Sequence, residues 1–218
     1  MSFSTLAQVR QNGLNPELGL SVDSDDSFGS TTQRNFYLRR ALEKLWPDMG
    51  RLMRFQLTTT GAMEYDLTAL AVGLRAIERI QVLDASGNMV DALKSWQLYV
   101  DETGSGTSRL TLQRMASGIT LDLIGYAPYK VCTIDADVLD LPPEREYVIC
   151  AGARVEAYRA KANGFANFER LANENRPNAL SAAEILELLR IARAEWEQYR
   201  AENARPMAAP HRAMQAIR

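Results

Sequence analysis

The stretch Leu141-Pro142-Pro143-Glu144-Arg145-Glu146-Tyr147 separates two kinds of hydrophobic periodicity, and the fold class follows from that separation. Upstream of it, runs such as Arg109-Leu110-Thr111-Leu112-Gln113 alternate apolar with polar residues, the pattern of a half-buried strand. Downstream, Tyr147, Ala151, Val155 and Tyr158 recur at helical spacing. Pro142 and Pro143 suit the first turn of a helix, where the N–H they lack would have no partner. Glu144 and Glu146 complement the positive end of its dipole.

Toward the C-terminus, Ala151-Gly152-Ala153 predicts a narrow waist in this helix, where another backbone can approach closely. Asn163-Gly164 predicts a break or bend, and Asn173 to Asn178, with Pro177, a second one. A final helix follows. Ser181-Ala182-Ala183-Glu184 has capping-box spacing, Leu180 and Ile185 are placed as a hydrophobic staple, and Ile185, Leu188, Leu189, Ala192, Trp196 and Tyr199 form one apolar stripe. Its other side carries Glu187, Arg190, Arg193 and Glu197, spaced for pairing one turn apart. From Asn203 to Arg218 there is no acid, two prolines, and a scatter of arginine and small apolar residues. Such a segment cannot fold alone; it either orders against a partner or stays a solvated terminus.

Between residues 51 and 135, strands are predicted at Leu52 to Thr60, Ala76 to Leu83, Trp96 to Asp101, Arg109 to Met115 and Ile119 to Tyr126. Asp84 to Asn88 and Ser117-Gly118 read as turns joining strands, and Glu102 to Ser108 as a longer hairpin loop. Gly104 and Gly106 lack the lysine and following helix of a phosphate cradle. At the N-terminus, Thr5 to Gln8 has capping-box spacing and Asn12-Gly13 an expected left-handed stop, which predicts a short helix over 5–12. Leu14 to Gly29 reads as a loop or arm. Leu38, Ala41, Leu42 and Leu45 then form a helical stripe limited by Pro47, with Arg34, Arg39 and Arg40 on other faces.

The expected fold is α+β: a helical bundle core made of an N-terminal helix plus two long C-terminal helices, an antiparallel β-sheet or sandwich insertion, and an extended C-terminal tail. Its segments are 1–30 (arm or short helix), 31–50 (first core helix), 51–140 (β domain), 141–202 (C-terminal helices) and 203–218 (tail).

The chain of 218 residues can bury a real core, and its 46% hydrophobic and 24% charged residues are ordinary for a globular protein. No window reaches the roughly 20 apolar residues of a membrane span, and the first residues lack the pattern of a secretory signal, which places the protein in a cytoplasm-like compartment. Cys132 and Cys150, expected on a strand and a helix, read as buried thiols. A net charge of −2 argues against a nucleic-acid coat. Only Lys44, Lys94, Lys130 and Lys161 are lysines among 25 cations. That bias fits forked contacts to carboxylates and interfaces, and equally the base composition of a GC-rich genome.

Chemistry is sparse. His211, in the tail, is the only histidine, so a catalytic triad, a two-histidine metal site and a histidine acid/base on a rigid scaffold are excluded. Asp135-Ala136-Asp137 with Asp140 lacks the glycine and closing glutamate of a calcium loop and reads as a solvated connection. Glu64, Asp66, Glu78 and Asp122 could converge as paired carboxylates of a hydrolase. Trp46, Trp96 and Trp196 are dispersed, which suits packing better than an aromatic platform. No cofactor and no metal is expected.

The order of elements resembles the head-to-tail adaptor (connector, neck) proteins of tailed bacteriophages. The residues that carry the likeness are Leu141 to Tyr147, the final helix with Ala194-Glu195-Trp196-Glu197-Gln198-Tyr199-Arg200, and the extended tail, and it covers roughly residues 30 to 218. The resemblance implies a structural virion protein without enzymatic activity, assembled in the host cytoplasm and located in the virion neck. It implies a homo-oligomeric ring, usually of twelve copies, between the portal protein and the next neck or tail protein, with DNA as passing, non-specific cargo and no membrane contact. Carried over to this chain, Arg205, Met207, His211, Arg212, Met214, Ile217 and Arg218 would dock to the portal. Arg34, Arg39, Arg40, Arg190, Arg193 and Glu197 would meet neighbouring subunits, and Glu102, Gly104 and Gly106 would face the tail side. The large β region and the stretch before Thr31 depart from the family pattern and leave the neck layer open, a stopper or tail-completion protein being the nearest alternative. A β-sandwich carbohydrate- or protein-binding module would instead require Trp96 and Tyr99 exposed beside one another.

Overall fold

The computed structural model of the protein describes residues 4–21, 23–24, 27–46, 48–100, 108–168 and 181–204, the side chains of 165–168 excepted. Its class is α+β, as the change of periodicity predicts. The chain forms two units: one comprises Met1–Met49 and Tyr129–Ala204, and the described residues of the other span Gly50–Pro128. The segment 129–140, read from sequence with the β region, therefore folds with the helices, where Tyr129, Cys132 and Leu139 join the helical core. Cys132 lies on this irregular connection and not on a strand.

The helical unit begins with α1 (Leu6–Val9), where Thr5 Oγ1 accepts from the Gln8 backbone and the Gln8 side chain accepts from Thr5 N–H. The expected stop at Asn12-Gly13 does not occur. The chain continues through a π-helical turn (Arg10–Leu14) into α2 (Asn15–Glu17), and the left-handed residue is Gly19, at φ 72°. Gly13 answers a packing demand: a Cβ there would lie 2.5 Å from Cys150 Sγ. Nor is the following stretch a free arm, since Leu14, Leu18, Leu20 and Phe28 are buried in the helical core. The N-terminus is further tied to the segment before the second long helix: Leu6 N–H donates to Asp137 O at 2.9 Å, and Leu139 N–H to Ser4 O at 3.0 Å.

Helix α3 (Thr31–Leu45) opens with a capping box formed by Ser30 and Gln33 and buries Tyr37, Leu38, Ala41, Leu42 and Leu45 along one stripe. Helix α4 (Glu146–Phe168) follows a 3-10 turn (Pro143–Arg145), and α5 (Ala182–Asn203) starts at the Ser181/Glu184 capping box. Ile185, Leu189, Ala192 and Trp196 of α5 are buried, with Leu188 and Tyr199 packed alongside. The waist in α4 is used from both sides: a Cβ on Gly152 would lie 2.9 Å from Ala41 Cβ of α3 and 2.8 Å from Trp196 Nε1 of α5. The expected break at Asn163-Gly164 is absent, because α4 runs through it to Phe168. A helix-interior glycine costs only about 1 kcal/mol relative to alanine, less than a continuous hydrogen-bond ladder supplies. The second expected break, 173–178, and Leu180 lie outside the described residues.

The β unit contains seven strands among the described residues: β1 (Arg51–Thr58), β2 (Glu64–Asp66), β3 (Ala76–Leu83), β4 (Met89–Ala92), β5 (Trp96–Val100), β6 (Ser108–Leu112) and β7 (Thr120–Ala127). They form a four-stranded sheet, β1-β7-β3-β4, and a three-stranded sheet, β2-β6-β5, with every pairing antiparallel. Leu57, Ile80, Leu121 and Leu123 from the first and Tyr65, Leu110 and Leu112 from the second share one core. Each sheet thus hides one face against the other, as the alternating pattern requires. Ser117-Gly118 is no hairpin turn, since β6 and β7 belong to different sheets. It carries the chain between them, fastened by Gly118 N–H to Thr59 O at 2.8 Å.

Candidate interaction surfaces

The arginines of the N-terminal half are divided between interior and surface. Arg10 is 2% exposed and is the hub of a polar network. Its Nε and Nη2 donate to Asp23 Oδ1 and Oδ2 at 3.1 and 2.9 Å, and Nη1 donates to Asp135 Oδ1 at 2.6 Å. Asn15 and Gln11 also donate to Asp23, and Asn35 to Asp135. The Arg10 fork holds the Asp23 carboxyl well below the usual carboxylate range, and Arg10 with Asn35 lowers that of Asp135. Asp135 is therefore no mere solvated linker residue. It ties the connection before α4 to the first helical turns.

Arg34, expected on an inter-subunit face, is fully buried and donates to the Asp23 backbone carbonyl, so it offers no surface to a neighbouring copy. Arg39 and Arg40 do reach the surface. They lie 3.9 and 3.2 Å from Glu43 and stand over the exposed Phe36 ring at 5.0 and 5.9 Å.

On α5, Arg190 pairs with Glu187 at 2.6 Å, and Arg193 and Glu197 are exposed. The exposed surface of the same helix also bears Leu186 and Ile191. Ion pairs fasten the helices to one another: Arg154 of α4 contacts Glu195 of α5, Arg200 of α5 contacts Asp48 after α3 and lies 5.0 Å from the Trp196 ring centroid, and Lys44 of α3 reaches Glu156 of α4 at 2.5 Å. Burial pushes the Glu17 carboxyl up despite Arg154 nearby. The arginine bias thus has a physical use within the subunit, in forked contacts to carboxylates.

The acidic residues considered for hydrolysis occupy two sheets, and Asp66, Glu78 and Asp122 hold local structure. Asp122, fully buried on β7, accepts from Arg54 Nε at 2.9 and 3.0 Å; Glu78 accepts from Tyr126 Oη at 2.6 Å; Asp66 accepts from Thr68 N–H at 2.8 Å. Glu64 and Asp66 sit together on β2, apart in the topology from Glu78 and Asp122. Among the described residues no cluster of three His, Cys, Asp or Glu side chains is arranged to hold a metal. Trp96 packs against the β core whereas Tyr99, three positions along β5, is exposed on the other face, so the two do not form a platform. Both cysteines are buried free thiols, and burial raises the pKa of each. No described helix is long and apolar enough to cross a membrane.

Glu102, Gly104 and Gly106 lie outside the described residues, as do Arg205, Met207, His211, Arg212, Met214, Ile217 and Arg218. The strands on either side of residues 101–107 are antiparallel neighbours, with Val100 opposite Ser108. Ser108 is in turn held by Thr68 and Leu74, the segment that carries exposed Leu70 and Val72.

No protein-family model matches the chain, and no curated protein matches it. Among solved structures it is similar to a chain of the "Neck of native GTA particle computed with C12 symmetry", at 16% identity and a TM-score of 0.31, over 88% of this chain and 94% of that one. It is also similar to a chain of the "Neck of empty GTA particle computed with C6 symmetry", at 16% identity and a TM-score of 0.31, over 86% of this chain and 87% of that one. A TM-score of 0.31 is too low to establish a shared fold, and the likeness fixes neither architecture nor role.

Proposed function

We propose that the protein is a structural subunit of the neck of a tailed-phage-like particle, a head-to-tail adaptor that packs against copies of itself in a ring between the portal and the next neck or tail protein. The observation that carries this reading is how the side chains are used. Asp66, Glu78 and Asp122, and the arginines Arg10, Arg34, Arg54, Arg154 and Arg200, are committed to contacts within the subunit, while large apolar side chains stay uncovered on the helical unit: Phe36, Val131, Ile134 and Val138, and on α5 Leu186 and Ile191. Exposed large apolar side chains are suited to protein contacts, and none of them brings chemistry.

In this reading the protein acts mechanically and without catalysis. The α5 surface with Arg190, Arg193 and Glu197, together with Arg39 and Arg40 of α3, meets neighbouring copies, about twelve to a ring. The basic segment with Arg205, Met207, His211, Arg212, Met214, Ile217 and Arg218 orders on the portal, and the loop with Glu102, Gly104 and Gly106 faces the tail side. DNA passes the mildly acidic subunits without being gripped. The test is a chain ending at Glu202, mixed with portal rings: it should lose portal binding while keeping its melting temperature. Undiminished binding would contradict the docking role.

A further inference from the structure

The last turn of a helix has carbonyls without intrahelical donors, and helix ends fray. The end of α5 is tied down instead. Asn203 Nδ2 donates to Tyr147 Oη of α4 at 2.7 Å and to the Tyr199 carbonyl at 2.9 Å, so one amide joins the final turn of α5 to the first turn of α4. The Tyr147 and Tyr199 rings meet edge to face, with centroids 4.9 Å apart and planes at 87°. Next to Tyr199, Arg200 contacts Asp48 and stands over the Trp196 ring.

These contacts gather where the buried stripe of α5 has run out. Its buried residues are Ile185, Leu189, Ala192 and Trp196, and Tyr147 on the facing helix is exposed, so apolar burial does not account for the cluster. Immediately beyond, Ala204 has extended backbone at φ −59° and ψ 141°. The sequence then continues into the acid-free basic segment, whose second residue, Pro206, disfavours helix at the position before it. The helix is therefore anchored to its neighbours at the place from which that segment departs.

We infer that Tyr147 and Asn203 are positioning residues for the docking of residues 205–218: their bond fixes the point and direction in which the segment leaves the helical unit, so that less freedom is lost when it meets its partner. The inference rests on the docking reading and adds the device that prepares it. Neither residue has to touch the partner; Tyr147 acts through Asn203, and Asn203 through the backbone of the last turn. A loosened residue that must be fixed again on binding weakens an affinity about tenfold.

The test titrates the full chain onto portal rings of the same particle, with Tyr147→Phe, which keeps the ring and removes only the hydroxyl, and with Asn203→Ala. Because both changes break one bond, each should weaken binding about tenfold, and the double variant no more than either alone. The melting temperature should stay near that of the native chain, since a single exposed hydrogen bond adds little to global stability. In the free Tyr147→Phe chain, whose α5 is unaltered, the amides of residues 201–204 should exchange with solvent faster than in the native chain. Variants that bind portal rings as tightly as the native chain, or last-turn amides that exchange at the native rate, overturn the positioning role and leave the docking reading intact. A native chain with no affinity for portal rings overturns both.

Discussion

Arg10 and Asp23 meet as a two-pronged fork, Nε to Oδ1 at 3.1 Å and Nη2 to Oδ2 at 2.9 Å, with the guanidinium almost wholly withdrawn from water. Removing one member of a buried pair strands the other, which costs about 3–5 kcal/mol. Arg10→Ala is expected to lower the unfolding free energy by about 3 kcal/mol in denaturant titration. A loss below about 1 kcal/mol would mean that water replaces the guanidinium freely.

The same network sets a pH dependence. Asp23 and Asp135 titrate below their ordinary values in the folded chain because Arg10 stabilises their charged forms. A carboxyl lowered on folding adds stability that is complete above its unfolded pKa, about 4, and is lost as pH falls from there through the folded value. The melting temperature should therefore be flat from neutral pH to about 5 and fall more acid than that. Asp23→Asn should reduce the slope; an unchanged acid slope in that variant would remove Asp23 from the account.

Gly152 and Gly164 share a helix and should respond oppositely to alanine. At Gly152 the new methyl would meet Ala41 and Trp196 at under 3 Å, and overpacking of this kind costs about 1–3 kcal/mol. At Gly164 nothing lies within 4 Å, so Gly164→Ala should gain about 0.5–1 kcal/mol from helix propensity alone. Thermal melts of the two variants compare them directly, and a stabilised Gly152→Ala would show that α3 and α5 are not in close contact with α4.

Gly13→Ala tests the contact that keeps the first helical segment against α4. Its Cβ would sit 2.5 Å from Cys150 Sγ, so the variant is expected to lose about 1–3 kcal/mol. Cys150→Ala in the same chain should restore part of that loss by removing the sulfur. Additive losses in the double-mutant cycle would contradict the contact.

The elements that were legible in the sequence are those whose signal is local. The Ser181/Glu184 capping box, the α5 stripe and the strand at Ala76–Leu83 depend on neighbours in the chain, and they stand where periodicity predicts. Two of the misreadings, at Gly13 and Arg34, share one cause, a partner outside the local window of the chain. Asn12-Gly13 looks like a helix stop until Cys150 supplies a reason for glycine, and Arg34 looks like a surface charge until the Asp23 backbone carbonyl accepts its hydrogen bond; Asp135 is solvent-exposed as read, but is also bound by Arg10, 125 positions away. The short strands at Glu64–Asp66 and Met89–Ala92 escaped because three or four residues carry too little alternation to register, yet they form two of the sheet edges. Of the proposed surfaces, the charges on α5 could be read from spacing. Its exposed Leu186 and Ile191 could not, since an apolar residue in a helix looks the same in sequence whether it is covered or bare.

The central claim, that this chain is a ring-forming coupler in the neck, is met most directly by a reconstruction of the assembled particle in which the chain is located. The account predicts copies side by side in a closed ring at the portal mouth, with residues 205–218 seated on the portal. Copies found singly, or anywhere in the particle away from the portal, would contradict it.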